Sequence, residues 1–426
     1  MIKKFQLWAM NLAKKSLAFR NVARKSLYIV QTAKYRIKSV IYKVDDKTIL
    51  FSCFAGQSYA DSPKAIYEYM LKNEKYKEYK FVWIFNEPDK YDFLENNRNT
   101  IIIKRKGNLY QKFLHTAKYL IFNFKIPEYI IPKKSQVFVQ CWHGTPLKRL
   151  GCDLIHYDNA MNTVEGMKKR YRIEAKRFSY LISPSKYCTE KFISAWDLKK
   201  INKENIIIEK GYPRNDFLYT YTEKDVESIK RKILDKQYAE YKKNPKKIIL
   251  YAPTFRANQY ETGVGYIYKE EVDFDKLRKA LGNEYIILFR PHYFVANAFN
   301  FDKYESFVYN VSEVDDVNEL YIISDILITD YSSVFFDYAN LKKPIIFYMY
   351  DLEHYRDESN GFYFDVEKEL PGKIVRTDDE VIEEIIRVTK EFEYDEKYRE
   401  FNEKFNYLDD GHASKRVIEQ FMEENK

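Results

Sequence analysis

The stretch Val137-Phe138-Val139-Gln140-Cys141-Trp142-His143-Gly144-Thr145-Pro146-Leu147-Lys148 runs an apolar segment of strand length directly into a turn that carries histidine, glycine and proline. A segment apolar at consecutive positions, rather than alternate ones, suits a strand covered on both faces, as in a parallel sheet. Ligands of such sheets bind beyond the carboxyl ends of the strands. There a glycine permits an unusual backbone turn and a proline starts the following segment, which leaves His143 where a ligand would bind. His143 is therefore a candidate functional residue rather than a satisfied core histidine.

Working outward, similar apolar runs at 48–52, 81–85, 100–103, 119–122, 180–182 and 206–208 alternate with helical stretches such as 63–73, 109–118 and 164–177. The pattern lapses through a charged helical stretch and restarts with runs at 248–251, 285–289, 307–309, 325–328, 344–348 and 373–375. The fold class expected is α/β, two consecutive doubly wound units with the active site in the cleft between their carboxyl edges. The divisions expected are an N-terminal segment 1–44, a first domain 45–221, a helical linker region 222–247, a second domain 248–395 and a polar helical tail 396–426.

At 426 residues the chain exceeds the size at which one core stops growing, in keeping with two domains. No apolar run approaches the roughly 18 residues that span a bilayer. The formal charge of +9 has the sign suited to a polyanion, a nucleic acid or an acidic membrane. Its placement is more telling, because residues 1–44 hold 11 basic residues and no acidic one, leaving 61 basic against 63 acidic in the rest. Ile2, Phe5, Trp8, Ala9 and Leu12 recur at helical steps among Lys3, Lys4, Lys14 and Lys15, the pattern of a helix lying in an anionic membrane interface. The competing reading is a basic helix packed on its own protein or a disordered leader. Nothing outside this arm resembles a DNA-reading helix or an aromatic RNA-binding motif, so no nucleic-acid partner is expected. Cys53, Cys141, Cys152 and Cys188 lie far apart without CxxC spacing, which suits buried free thiols in a reducing compartment.

The sequence carries no dinucleotide fingerprint, Walker loop, HExxH or GxSxG. Asp273-Phe274-Asp275 has the shape of a metal-binding DxD but precedes a helical stretch and fits an N-cap better, so no metal site and no cofactor is identified. Phe289-Arg290-Pro291-His292 repeats the strand-end arrangement in the second unit, and Arg290 there suits a phosphate or a carbonyl cap equally. Thr329-Asp330-Tyr331-Ser332-Ser333 joins a strand to a helix, where Ser332 and Ser333 would hold an anion at the helix N-terminus or act as plain caps. Tyr251-Ala252-Pro253-Thr254-Phe255-Arg256 and Gly211-Tyr212-Pro213-Arg214-Asn215-Asp216 likewise end strands with a proline and a cation. Together with Arg290 they would make a positive cleft suited to a diphosphate. The basic stretch 167–177 reads as a surface for an anionic acceptor or as a solvated face.

These motifs, with Ser183-Pro184-Ser185, follow one another in an order that resembles the CDP-glycerol glycerophosphotransferase family of teichoic acid primases and polymerases. The resemblance implies a GT-B fold of two Rossmann-like domains. It implies transfer of glycerol phosphate or ribitol phosphate from CDP-glycerol or CDP-ribitol to a hydroxyl of a lipid-linked glycan or polyol-phosphate acceptor, with release of CMP. The work would serve teichoic acid or capsular polymer synthesis by a peripheral enzyme at the cytoplasmic face of the bacterial membrane. The family's catalytic histidines match His143 and His292. Its substrate-binding motifs match Gly144, Thr145, Lys148, Arg214, Thr254, Arg256, Arg290, Asp330, Ser332 and Ser333. His143, on the acceptor-side domain, is implied as general base, while Arg290, His292 and the Ser332–Ser333 turn would hold the diphosphate. Two other readings compete. A GT-B nucleotide-sugar glycosyltransferase would release UDP instead of CMP, and a noncatalytic polyanion-binding protein at a membrane surface would leave the paired histidines unexplained.

Overall fold

Ile49, Leu50 and Phe51 are wholly buried although their side chains alternate between the two faces of strand β1 (Asp45–Ser52), so both faces are covered. The computed structural model describes residues 17–155, 163–254, 260–261, 265–266, 272–291, 299–358 and 361–424. Strand β1 is central to a parallel sheet with β2 (Lys80–Phe85), β3 (Thr100–Lys104), β4 (Ala117–Phe122), β5 (Val137–Gln140), β6 (Tyr180–Ser183) and β7 (Ile207–Glu209). Its seven strands run in the order β3-β2-β1-β4-β5-β6-β7, with Leu50 opposite Val82 on one side and Leu120 on the other.

The second half opens with β8 (Lys247–Ala252), followed by a short antiparallel pair, β9 (Tyr260–Glu261) and β10 (Gly265–Tyr266). Strands β11 (Tyr285–Phe289), β12 (Val308–Asn310), β13 (Ile326–Thr329), β14 (Ile345–Tyr348) and β15 (Lys373–Val375) complete a six-stranded sheet ordered β12-β11-β8-β13-β14-β15, again parallel. Each apolar run expected as a strand is one, with ends shifted by a few residues.

In each sheet the strand order reverses once, between β1 and β4 in the first and between β8 and β13 in the second. Such a reversal opens a crevice beyond the carboxyl ends, and both crevices are tied in the same way. Phe54 N, after β1, donates to Asn123 Oδ1, after β4, at 2.7 Å. Thr254 N, after β8, donates to Asp330 Oδ1, after β13, at 2.8 Å.

Helices cover both faces of both sheets. The helix Asp61–Lys72 buries Ile66, Tyr67 and Met70 on one face of the first sheet, against Phe51, Phe81 and Trp83. Within the stretch expected as a polar helical tail, residues 396–424 are described; they are largely helical but divided between the two halves. Phe401 and Phe405 of the helix Glu396–Phe405 pack on Phe336 of the second half, with ring centroids 5.5 and 5.0 Å away. Val417, Ile418 and Phe421 of the helix Ala413–Glu423 are buried in the core of the first sheet. Their apolar stripe recurs at helical spacing inside a sequence that is charged on average, which is why composition misses it. The stretch 222–247 likewise packs on the second core, through Ile229, Leu234 and Tyr238.

The amphipathic positions Ile2, Phe5, Trp8, Ala9 and Leu12 lie outside the described residues. The described part of the arm is the helix Leu17–Ile41, which buries Tyr35 against Leu114 and His115 and leaves Val22, Ile29, Ile37, Val40 and Ile41 more than half exposed. Among the described residues no helix is long and apolar enough to cross a membrane.

Candidate active site

A cleft of about 1640 Å³ lies between the two sheets, walled by the segments that follow the carboxyl ends of β1, β5, β8, β11, β12 and β13. His143 faces it. Its Nδ1 is 2.9 Å from the carbonyl oxygen of Asn123. A carbonyl only accepts, so Nδ1 carries the proton and Nε2 keeps its lone pair. Nε2 has no partner among the described residues. Burial holds the imidazole below its ordinary pKa, with Arg214 and Lys125 acting in the same sense and the Asn123 bond and Asp61 opposing. The result is a neutral imidazole in one tautomer, the state a general base requires.

The ring is fixed from several sides. Phe54 and Phe124 each pack with ring centroids 5.9 Å from it, and Trp142 lies against it at 4.2 Å with the two rings tilted by 33°. Trp142 adopts a left-handed conformation, φ 53°, held by the donation of its N–H to Gln140 Oε1 and by an edge-to-face contact with Trp196. The unusual turn expected at Gly144 is therefore at Trp142. Gly144 serves a different need, since a Cβ there would come within 2.6 Å of Ser333 Oγ, so glycine lets the two halves meet.

Of the other residues singled out in the sequence, Gly144, Thr145, Lys148, Thr254, Arg290, Ser332 and Ser333 line the cleft together with His143. Arg290 caps carbonyls, donating from Nη1 to Val311 O at 2.9 Å and Val314 O at 2.7 Å. Lys148 donates to the Tyr355 hydroxyl of the opposite half at 2.9 Å. Ser333 caps only a five-residue helix, Val334–Tyr338, and makes no side-chain cap bond. His292 and Arg256 lie outside the described residues, though Pro291, next to His292, is in the cleft wall.

Two expectations are corrected. Asp330 is not in the cleft wall; it is 2% exposed and spends its carboxylate on the backbone of Thr254 and Tyr331. Arg214 is likewise removed from the cleft. It is 5% exposed and bridges the halves, with Nη2 3.0 Å from Asp337 and Nη1 3.4 Å from Asp61. Burial opposes its charge, but Asp337 and Asp61 more than offset that and raise its pKa. The basic stretch 167–177 also spends cations on structure, as Arg172 pairs with Asp197 at 2.6 Å and Arg177 caps the carbonyls of Ile126, Pro127 and Ile130. Asp273 is the N-cap anticipated, accepting from Lys276 N.

Sequence reasoning passed over Asn123 and Asp315. Asn123 is wholly buried and holds His143 through its carbonyl while its side chain accepts from Phe54 N and donates to Cys53 Sγ. Its position just past an apolar strand is the same signal that marked His143. Asp315 joins the halves by accepting from Tyr59 N at 3.0 Å and from the Tyr91 hydroxyl at 2.8 Å, and Lys64 reaches Asp316 beside it at 2.7 Å.

Residues 33–423 match the family described as CDP-Glycerol:Poly(glycerophosphate) glycerophosphotransferase. The chain belongs to that family. This glycerophosphotransferase is 39% identical over 395 residues to the teichoic acid poly(glycerol phosphate) polymerase of Bacillus spizizenii, covering 91% of this chain and 96% of that one. It is also 39% identical to the polymerase of the same description from Bacillus subtilis, covering 88% of this chain but 48% of that longer one. Its fold matches a solved structure of the wall teichoic acid polymerase TagF with a TM-score of 0.81 at 36% identity, over 96% of this chain and 97% of that chain. The glycerophosphotransferase thus has the GT-B arrangement, and the nucleotide-sugar glycosyltransferase and noncatalytic readings fall away.

Proposed function

We propose that the cleft transfers glycerol phosphate from CDP-glycerol to a terminal hydroxyl of a polyol-phosphate or lipid-linked glycan acceptor in teichoic acid synthesis. The observation that carries this reading is the 2.9 Å contact of His143 Nδ1 with the Asn123 carbonyl, which assigns the proton to Nδ1 and leaves Nε2 as acceptor at the cleft. The acceptor O–H proton passes to Nε2, the oxygen forms a bond to the phosphorus that bears glycerol, and the bond from that phosphorus to the CMP oxygen breaks. Opposite His143, the N–H groups and hydroxyls of Ser332 and Ser333 offer donors for the diphosphate, and the family resemblance assigns His292 and Arg256 to the same substrate. Arg290 acts by fixing the wall after β11 and β12 rather than by contacting phosphate. Glycerol rather than ribitol is favoured because the relatives at 39% identity are poly(glycerol phosphate) polymerases.

The exposed apolar side chains of the helix Leu17–Ile41, with the basic residues of 1–44, suit peripheral attachment to the anionic cytoplasmic face of a membrane, where a lipid-linked acceptor is presented. The test is incubation with CDP-glycerol, CDP-ribitol and UDP-sugars in the presence of a lipid-linked disaccharide bearing one glycerol phosphate. CMP release with a product heavier by glycerol phosphate is expected, and its loss in His143→Ala. Undiminished transfer by His143→Ala would sink the role given to that residue.

A further inference from the structure

Phe54, Ala55 and Gly56, which follow β1, adopt the left-handed conformation in succession, with φ of 42°, 58° and 83°. Glycine takes this region freely, whereas Phe54 and Ala55 stay in it only where their surroundings over-determine the backbone. The inner end of the turn is pinned within the first half. Phe54 N donates to Asn123 Oδ1, Gly56 N to Cys53 O at 2.8 Å, and Asn86 N to Gly56 O at 2.7 Å. The turn sets the place of the Phe54 ring, which packs edge-on against His143.

Its outer end is fastened across the cleft. Tyr59 N donates to Asp315 Oδ2 at 3.0 Å, and the Tyr91 hydroxyl lies between that same oxygen and the carbonyl of Gln57, 2.8 and 3.0 Å away. One hydroxyl proton cannot fully serve two acceptors, and the carboxylate is the stronger of them. Tyr91 is a fixed post, buried and stacked on Phe85 of β2 with ring centroids 3.9 Å apart. Asp315 is held from both sides. Arg290 donates to Val311 O and Val314 O just before it. Asp316, just after it, caps the helix Val317–Ile323 by accepting from Asn318 N at 3.1 Å, while Lys64 of the first half reaches its other oxygen. The Asp315 carboxylate therefore meets the turn 54–59 only when the halves are together.

We propose that Asp315 is a positioning residue for the transfer: as the second half closes on the first, it seats the turn 54–59 through Tyr59 and Tyr91 and so aligns the ring of His143 for the acceptor hydroxyl. The proposal rests on reading His143 as the base. Closure of the cleft and alignment of that base are then one event, and Arg290 takes part at one remove by fixing the loop that carries Asp315.

The test uses the full chain with CDP-glycerol and the lipid-linked disaccharide bearing one glycerol phosphate. Asp315→Ala lowers kcat by roughly tenfold, the scale of one hydrogen bond to a charged group. The KM for each substrate stays within about twofold of wild type, because the bonds lost are to the protein. Asp315→Asn, which keeps the shape and one acceptor oxygen, recovers part of the rate. Tyr91→Phe lowers kcat in the same sense, and adding it to Asp315→Ala costs little more, since both changes cut the same fastening. Tyr91→Phe and Asp315→Asn carry the test alone if Asp315→Ala fails to fold. A wild-type kcat in these variants overturns the proposal, even where the melting temperature falls. A rise in either KM at unchanged kcat overturns it too, as do losses that multiply in the double variant. Undiminished transfer by His143→Ala would defeat the base and this proposal with it, whereas loss in His143→Ala beside a wild-type kcat in Asp315→Ala defeats the positioning role alone.

Discussion

A Cβ on Gly144 would stand 2.6 Å from Ser333 Oγ and 3.2 Å from Ser333 Cβ, so the loop beside His143 and the cap of a second-half helix approach as closely as glycine allows. Gly144→Ala is expected to push the halves apart at the cleft and lower kcat by tenfold or more on the scale of geometric misplacement, about 1–3 kcal/mol of overpacking. Gly144→Ala combined with Ser333→Gly recovers much of the rate. Steady-state kinetics on the single and double variants decide it, and a wild-type rate in the single variant contradicts it.

Asn123 bears on the proposed chemistry through its carbonyl contact with His143. Asn123→Ala removes the acceptor of Phe54 N and the donor to Cys53 Sγ, a loss of about 1–3 kcal/mol for buried groups. The expected outcome is a lower kcat with both KM values nearly unchanged and an altered acid limb in the pH profile. A merely structural residue would lower the melting temperature and leave that limb in place.

The pH dependence has a defined sign. With His143 as the proposed neutral base and its pKa lowered by burial, kcat/KM is expected to hold at neutral pH and to fall with acid through a midpoint below the ordinary imidazole value of about 6.5. Lys125→Met removes a cation that lowers this pKa and moves the midpoint upward. A pH–rate profile with its acid limb above the ordinary value speaks against the assignment.

Arg214 tests the interdomain bridge. Arg214→Met leaves Asp61 and Asp337 buried without their cation and destabilises the fold by about 3–5 kcal/mol in urea unfolding. Adding Asp337→Asn returns part of that. Equal midpoints for wild type and Arg214→Met would place the bridge outside the stability of the fold.

The outer surface of the N-terminal helix carries the membrane prediction. Replacing Ile29, Ile37 and Val40 by serine is expected to weaken sedimentation with anionic vesicles while the melting temperature holds, because these side chains are exposed. Cutting the chain at Asp45 is a poorer test, as it strips Tyr35 from its place against His115.

Both sheets were legible from the sequence because a strand buried on two faces shows as an unbroken apolar run, and His143 was legible because such a run ends beside it. Arg214 was misplaced for a physical reason. Its local pattern of proline and cation is that of a strand-end cleft residue, but its partners Asp61 and Asp337 stand 153 and 123 positions away, and only folding brings them together. Asp330 shows the same limit, since nothing local distinguishes a carboxylate that faces a ligand from one spent on the N–H of Thr254. The role of Gly144 was hidden because its contact comes from the other half of the chain.

The polypeptide passes between its halves twice, near Gly211–Asp216 and again between the helices Glu396–Phe405 and Ala413–Glu423. The two passages are fastened to each other. Tyr212 N donates to Asp409, Asp216 accepts from Ala413 N and Ser414 N, and a Cβ on Gly211 would meet Leu408 O at 2.7 Å. Two bodies joined by a pair of adjacent threads behave as a door on its pin. Such a joint allows turning about one axis and resists sliding and twisting, so a cleft opened on it would shut with its walls in the same register.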